Sequence, residues 1–123
     1  MFVLVVGAGR VGSSVATSAL RAGHTVSVLD EDPLSHERLD VELGQGWEEA
    51  GIGEADVFIA STNGDNTNLV VAQIAQKRFE VERVIARVLD PRRAAWYSEQ
   101  GVQTICPTQI AIEQLEAAAL SDN

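Results

Sequence analysis

The sequence has few cysteines, few basic residues and no long apolar run. Cys106 is the single cysteine among 123 residues, so no disulfide can form within the chain and a reducing cytoplasm is the expected compartment. The apolar residues around it predict a packed thiol without a redox role. No apolar run approaches the roughly 18–20 residues that a membrane span requires. Met1 leads directly into a strand-like segment, without the basic stretch that opens a signal peptide.

Basic residues are half as frequent as acidic ones, with 9 Lys and Arg against 18 Asp and Glu and a net charge of −9. Because the densest basic cluster is Arg92-Arg93, neither a nucleic acid nor an anionic lipid surface is an expected partner. The two histidines, His24 and His36, have no accompanying ligand cluster. We therefore expect no metal site. A small anion can still bind an acidic protein where backbone N–H groups supply the positive potential.

Short apolar or β-branched segments alternate with helical segments along the whole chain, which predicts an α/β domain with a parallel sheet. Gly23 is suited to a left-handed cap at the end of the first helix. The pair Asp90-Pro91 favours the start of another helix, with Asp as the cap. A closing helix is expected from about Thr108, either as core or as a subunit contact. The predicted strands are Phe2–Val6, Thr25–Leu29, Val57–Ala60, Arg83–Val88 and Val102–Cys106.

Residues 34–51 carry mixed signals for helix and strand. The 26 residues from 30 to 55 separate Leu29 from Asp56. The first half of a doubly wound sheet needs a helix, a strand and a second helix in this interval, and the interval is about one strand too short. We therefore expect the third strand of such a sheet to be shortened or missing.

Three glycines form a G-x-G-x-x-G motif between the first strand and the first helix. Gly7 permits a tight turn, Gly9 lets a pyrophosphate approach the backbone, and Gly12 lets the helix pack closely on the strand. The start of the helix adds unpaired N–H groups and a partial positive charge. The same glycines would also suit an ordinary strand-to-helix turn. The residues that surround the motif in the sequence favour a nucleotide site over an ordinary turn.

That context is the acid at the end of the second strand. Asp30 follows Gly12 by 18 residues (30 minus 12), and a carboxylate there accepts hydrogen bonds from an adenosine ribose. It would repel a 2′-phosphate, so NADP is disfavoured against NAD or an adenine nucleotide. Asp32 is a second acid nearby, better explained as a turn or cap residue.

Two arginines have two interpretations each. Arg10, inside the glycine loop, either closes over a diphosphate or is an ordinary exposed residue. Arg87, near the end of a strand, either pairs with Asp90 or Asp65 or faces the ligand crevice at the carboxyl edge of the sheet.

Five stretches together resemble the nucleotide-binding regulatory domain of bacterial potassium uptake and channel systems, called the Trk N-terminal, KTN or RCK domain. The stretch from residue 50 to 69 and the IARVLDP segment are more specific than the glycine motif. The matching stretches are VVGAGRVG (5–12), GHTVSVLDED (23–32), AGIGEADVFIASTNGDNTNL (50–69), VIARVLDP (84–91) and GVQTICP (101–107).

The resemblance implies a Rossmann-like, doubly wound parallel sheet with helices on both faces, and a ligand, NAD(H) or ATP/ADP, that is read as a signal. The loop after the third predicted strand lines the crevice, Asn68 opens the next helix, and Arg87 is a ligand or interface residue. For Asn63 and Asp65, turn chemistry and helix capping are an equal explanation. The site residues are Gly7, Gly9, Arg10, Val11, Gly12, Asp30, Glu31, Ser61, Thr62, Asn63, Asp65, Asn68 and Arg87.

Two departures from the family pattern concern the chain's extent. Family members have a third strand that ends in Gly-Asp, which nothing here matches. Either the segment LDVEL (39–43) is a short substitute or a piece near residues 47–52 is absent. A C-terminal ligand-sensing domain often follows in the family, whereas residues 1–123 are expected to form a single domain without it.

The expected function is that of a cytoplasmic, non-enzymatic nucleotide sensor, which acts by ligand-biased conformational change. The resemblance implies a membrane potassium transporter or channel as partner, a position at the inner face of the membrane through that partner, and a homodimer or larger ring. Two alternatives are the cofactor domain of an NAD-dependent oxidoreductase and a scaffold that has lost its ligand. The Tyr-x-x-x-Lys pair of short-chain dehydrogenases is absent, because Gly101 follows Tyr97 at the lysine position.

Overall fold

The structure is a computed structural model that describes residues 1–7, 9–29 and 51–121. Strands and helices alternate through these residues, as the sequence predicts. Their order is β1 (Phe2–Val6), α1 (Arg10–Arg21), β2 (Thr25–Leu29), a 3-10 turn (Ile52–Glu54), β3 (Val57–Ala60), α2 (Asp65–Lys77), β4 (Arg83–Arg87), α3 (Pro91–Glu99), β5 (Gln103–Ile105) and α4 (Pro107–Leu120).

The strands form one parallel sheet in the order β2-β1-β3-β4-β5. In its register, Val5 lies between Val28 of β2 and Ile59 of β3. The predicted Rossmann-like α/β fold is confirmed, and each predicted strand is found within a residue at either end. The predicted loss of a third strand concerns residues 30–50, which lie outside the described residues. Because β2 and β3 flank β1 on opposite sides, a crevice is expected at the carboxyl end of β1.

Helices cover both faces of the sheet. On one face, strand residues such as Leu4 and Phe58 pack against Leu69 and Ala72 of α2 and against α3. On the other face, a smaller cluster packs around Ala16 of α1 and contains Val3, Val5 and Val57. The alternation of these side chains along β1 explains why its five residues are apolar without interruption, since neither face of a central parallel strand meets water.

Two predicted helix boundaries are confirmed by their local geometry. Asp90 caps α3, since its carboxylate accepts the backbone N–H of Arg92 at 2.9 Å, and Pro91 occupies the first position. Gly23 follows α1 with a positive φ of 90°. In this left-handed region a side chain would be strained, so glycine ends the helix at low energetic cost.

Helix α4 differs from the other helices because none of its residues is buried. Helix α4 is therefore not part of the described core, and the subunit contact stays a prediction. Cys106, at its start, is partly buried, and its Sγ accepts the N–H of Gln109 at 3.4 Å. The large apolar residues exposed on α4 are Ile110, Ile112, Leu115 and Leu120. None of the helices within the described residues is both long and apolar enough to cross a membrane.

Candidate functional site

The glycine loop joins β1 to α1 with very little space around two of its glycines. Gly7 has a φ of 101°, and a Cβ there would lie 2.8 Å from the backbone of Ser61 and Thr62. A Cβ on Gly12 would lie 1.8 Å from the carbonyl oxygen of Gly7. Both distances are far below van der Waals contact, so these two positions require glycine for the fold itself. This geometry matches the predicted tight turn and the predicted close packing of helix on strand.

Gly9 has a different environment from its two neighbours in the motif. A Cβ on Gly9 would meet no atom within 4 Å, and its φ of −69° is one that any residue adopts. The described fold therefore gives no reason for glycine at this position. The open space beside the Gly9 backbone is the feature that close approach of a pyrophosphate would require.

The amino end of α1 faces this open space. Gly9 is the N-cap of the helix and offers no side-chain acceptor, and the first turn contains no acidic residue. The first N–H groups of a helix lack intrahelical partners and carry a partial positive charge, so such an end attracts an anion. Arg10 and Val11 are exposed at the first two helical positions, while Gly12 is buried.

Ser61 fixes the glycine loop from the neighbouring strand. Its side chain is buried, and its Oγ donates to the carbonyl of Val6 at 3.1 Å and lies 3.3 Å from that of Gly7. Its backbone N–H also donates to the carbonyl of Val6 at 2.8 Å. Ser61 thus holds the ends of β1 and β3 together directly beneath the loop.

Asn68, in the first turn of α2, joins the loops that follow β3 and β4. It is 1% exposed. Its Oδ1 accepts the backbone N–H of Thr62 at 2.9 Å and the Thr62 hydroxyl at 2.6 Å. Its Nδ2 donates to the carbonyls of Thr62 at 3.0 Å and of Arg87 at 2.9 Å. Because the amide is buried and engaged at both ends, Asn68 positions the two loops in this structure rather than presenting its side chain to the crevice.

Asp65 has a similar connecting position. Its carboxylate accepts the backbone N–H groups of Leu89 at 2.7 Å and of Asp90 at 3.1 Å. The N-cap residue of α2 is Gly64. Asp65 therefore holds the turn between β4 and α3, a contact that the sequence did not predict. Asn63 is exposed in the loop before α2.

Arg87 lies at the end of β4, where the sequence predicts it, but its partner is not one of the two predicted carboxylates. Its Nη1 donates to the carbonyl of Thr62 at 3.1 Å. The carboxylates of Asp65 and Asp90 accept backbone N–H groups instead. The Nε of Arg87 is buried and has no hydrogen-bond partner among the residues that the structure describes.

Asp30 and Glu31 lie outside the described residues. The described residue before them, Leu29, ends β2 and accepts the N–H of Gly7 through its carbonyl at 2.8 Å. Asp30 therefore comes directly after a residue, Leu29, that is hydrogen-bonded to the glycine loop. Among the residues that the structure describes, no three His, Cys, Asp or Glu side chains are grouped as metal ligands.

The connecting bonds of Asn68 and Asp65 were not found from the sequence. The motif STNGDNTN marks both residues as part of the site, but their partners at Arg87, Leu89 and Asp90 are 19 to 25 positions away. Only the pairing of β3 with β4 brings these loops together. The one available signal was that parallel strands which follow each other in sequence usually lie side by side.

Replacing Asn68 by alanine is expected to lower the free energy of unfolding by about 2 kcal/mol, because buried groups of Thr62 and Arg87 lose their partners. Urea denaturation measures this change. Asn66→Ala is the matched control, since Asn66 is exposed and its side chain bonds to the equally exposed end of Arg93 within the described part of the chain. A loss of equal size in both variants would contradict the connecting position of Asn68.

The chain is similar to known proteins both in sequence and in fold. The TrkA-N domain family model matches residues 3–108. The chain is 40% identical over 126 residues to the Trk system potassium uptake protein TrkA of Streptomyces coelicolor, covering 94% of this chain and 56% of that relative. The chain thus spans little more than half the length of this relative.

Two solved structures share the fold. The Kef C-terminal domain of Shewanella denitrificans, in its AMP-bound form, is 26% identical with a TM-score of 0.77, and the match covers all of this chain and 83% of that one. The RCK domain of GsuK is 22% identical with a TM-score of 0.77, and the match covers 94% of this chain and 27% of that one. With the family model matched over most of its length, and the glycine loop and sheet order in place, the chain belongs to the TrkA-N domain family.

Proposed function

We propose that this chain is a nucleotide-sensing regulatory domain of a potassium transport system, with NAD(H) or ATP/ADP as the ligand. The observation that carries the proposal is the space beside Gly9 at the amino end of α1. It lies where β2 and β3 diverge from β1, which is the usual ligand position in open α/β sheets. Gly7 and Gly12, which the fold requires to be glycine, lie on either side of Gly9 in the motif. At Gly9 the described fold does not require glycine.

The class of nucleotide follows from the acid after β2. Asp30 comes directly after Leu29, whose carbonyl binds the glycine loop. A carboxylate there would accept the hydroxyls of an adenosine ribose and repel a 2′-phosphate, so NADP is disfavoured. The AMP-bound state of the Kef domain supports an adenine nucleotide, since that domain is the more similar of the two solved structures.

A regulatory function without catalysis agrees with the chemistry of the crevice. An oxidoreductase requires a placed acid or base beside its cofactor. Among the described side chains at this edge, those of Ser61, Asn68 and Asp65 are engaged with backbone groups of the fold. The alternative, a cofactor domain of an oxidoreductase, would take its catalytic residues from elsewhere.

The proposed partner is a membrane potassium transporter or channel, since the relative from Streptomyces coelicolor is named for potassium uptake. The domain would then act at the inner face of the membrane, through that partner. A nucleotide would shift the equilibrium between two conformations of the assembly only to the extent that it binds one of them more tightly than the other.

Replacing Asp30 by alanine tests the proposed site. We expect the affinity for NADH or ATP to fall by about tenfold, because a charge-assisted hydrogen bond to the ribose is lost. Calorimetric titration measures the affinity, and thermal unfolding without ligand verifies that the fold is intact. Asp32→Ala is the matched control, two residues further along, and should bind like the parent chain. Equal affinity in the Asp30 variant would remove this residue from the site.

The exposed helix α4 supports the proposed homodimer or ring. Exposed apolar surface of this kind typically contacts another protein, and Leu115 is 69% exposed. We expect Leu115→Lys to reduce the molar mass in solution, measured by light scattering, because a buried unpaired charge is unfavourable in an interface. Leu20→Lys on α1 is the control, since Leu20 is 58% exposed on a different helix. A parent chain that is monomeric at all concentrations would contradict this part of the proposal.

A further inference from the structure

The hydroxyl group of Ser61 lies between two consecutive carbonyl groups at the end of β1. Ser61 is 6% exposed, and its Oγ lies 3.1 Å from the carbonyl oxygen of Val6 and 3.3 Å from that of Gly7. The Val6 carbonyl also accepts the backbone N–H of Ser61. The Gly7 carbonyl depends on the side chain, because this hydroxyl is the one hydrogen-bond donor that the described residues offer to it.

Gly7 is the residue at which β1 continues into the glycine loop. Its φ of 101° is in the left-handed region, and without a Cβ its backbone has more freedom to rotate than that of any other residue. Its N–H donates to the carbonyl of Leu29 on β2 at 2.8 Å. Ser61, at the end of β3, holds its carbonyl from the other side. The start of the loop is thus fixed from both strands that flank β1.

The direction of the Gly7 carbonyl matters for an anion beside the loop. The oxygen lies at the packed contact between α1 and β1, 1.8 Å from the position that a Cβ on Gly12 would take. It is not near Gly9, where a Cβ would meet no atom within 4 Å. The oxygen end of a peptide dipole is negative, so a carbonyl turned toward the space beside Gly9 would repel a phosphate. Ser61 therefore favours the loop conformation in which this space stays suitable for an anion.

We infer that Ser61 is a positioning residue, which raises the affinity of the glycine loop for phosphate without contacting the ligand. The inference rests on the nucleotide site proposed above and replaces the ligand contact that the family resemblance implies for this residue. A binding loop that is already held in its bound conformation loses less free energy when the ligand arrives. Because the hydroxyl acts on the loop and not on β2, it should affect the phosphates of a nucleotide and leave the adenosine unaffected.

The experiment is a titration of the parent chain and of Ser61→Ala with adenosine and with ADP, without divalent cations. Backbone amide signals measure both affinities, since they also report weak binding. We expect the parent chain to bind ADP more tightly than adenosine, because the phosphates reach the amino end of α1. Ser61→Ala should lose about fivefold in ADP affinity, the equivalent of one net hydrogen bond, with its adenosine affinity unchanged.

Thr104→Val is the matched control. The Thr104 hydroxyl also donates to a backbone carbonyl, that of Ala94 at 3.1 Å, and it contacts the hydroxyl of Ser98. It lies on β5, at the far side of the sheet from β1. This variant should bind both ligands like the parent chain. Thermal unfolding without ligand should show both variants within a few degrees of each other, since each loses a hydroxyl that bonds to the backbone.

A second variant keeps the test valid if Ser61→Ala does not fold. Ser61→Cys has nearly the same volume, and its thiol is a weaker donor than the hydroxyl. It should lose part of the ADP affinity and none of the adenosine affinity.

The outcomes separate the inference from the proposed function. Unchanged ADP affinity in Ser61→Ala would overturn the inference and leave the nucleotide site intact. An equal loss of adenosine and ADP affinity would also overturn it, because Ser61 would then support the fold as a whole. The same loss of ADP affinity in Thr104→Val would overturn it as well. A parent chain that binds neither adenosine nor ADP would overturn both the inference and the proposed function.

Discussion

Gly12→Ala is expected to lower the free energy of unfolding by about 4 kcal/mol, because the added methyl group has no space. The added Cβ would lie 1.8 Å from the carbonyl oxygen of Gly7 and 2.9 Å from Oγ of Ser61. The carbonyl has little freedom to move away, because Gly7 is also held through its N–H to Leu29. To make space for the methyl group, α1 would have to move away from β1, or the glycine loop would have to change its conformation.

Urea denaturation of Gly12→Ala and Gly53→Ala measures this difference. Gly53 is the matched control, since it is exposed in the 3-10 turn and a Cβ there would meet no atom within 4 Å. Its variant should stay within about 0.5 kcal/mol of the parent, as surface substitutions usually do. If Gly12→Ala unfolded at the same urea concentration as the control, the close packing of α1 on β1 would be wrong.

Gly9→Ala is expected to keep the fold and lose the ligand. The open space around Gly9 accepts a methyl group, and the backbone there has ordinary angles. Its stability should therefore change by no more than about 1 kcal/mol, since a slightly poorer cap is offset by a less flexible unfolded chain. Nucleotide affinity should fall by about a hundredfold. A phosphate kept away from the backbone would lose about two charge-assisted hydrogen bonds, each worth about 1.5 kcal/mol.

Calorimetric titration and thermal unfolding of the same Gly9→Ala sample test both halves of this prediction. A variant that binds normally would show that the phosphates do not approach Gly9. A variant that unfolds would show that the space beside Gly9 is needed by the chain itself. Together, Gly12→Ala and Gly9→Ala separate the glycine that the fold requires from the glycine that the ligand requires.

Most of the fold was predictable from the sequence, because the local signals for strands and helices match the places that these elements take in the tertiary structure. The run FVLVV is apolar at every position, as a central parallel strand requires, and Asp90-Pro91 favours a helix start that the structure contains. The glycine loop was equally predictable, since turn, approach and packing each require glycine at a known spacing.

Contacts between loops were less predictable, because they depend on which strands become neighbours. Asp65 and Asn68 look like ordinary cap and turn residues in sequence, yet they connect the end of β3 to the end of β4. Arg87 was expected either to pair with an acid or to face the crevice, and the composition of nearby loops offered two acids. Both acids bind backbone N–H groups instead, which only the folded geometry reveals.

The exposure of α4 could not be predicted from the sequence either. An alanine-rich helix with apolar residues at helical spacing has the same pattern whether it packs on its own sheet or on another chain. The structure places it outside the described core, since none of its residues is buried.

The most direct test of the nucleotide site is a titration of the isotope-labelled chain with ATP, followed through its backbone amide signals. We expect the first and largest changes at Gly9, Gly12 and Thr62, around the amino end of α1. Amides at the end of α3 and in the middle of α4 should change little. Changes of the amide signals that saturate with increasing ATP and that are confined to the glycine loop and its neighbours would establish the site. No change, or changes centred on another surface, would contradict it.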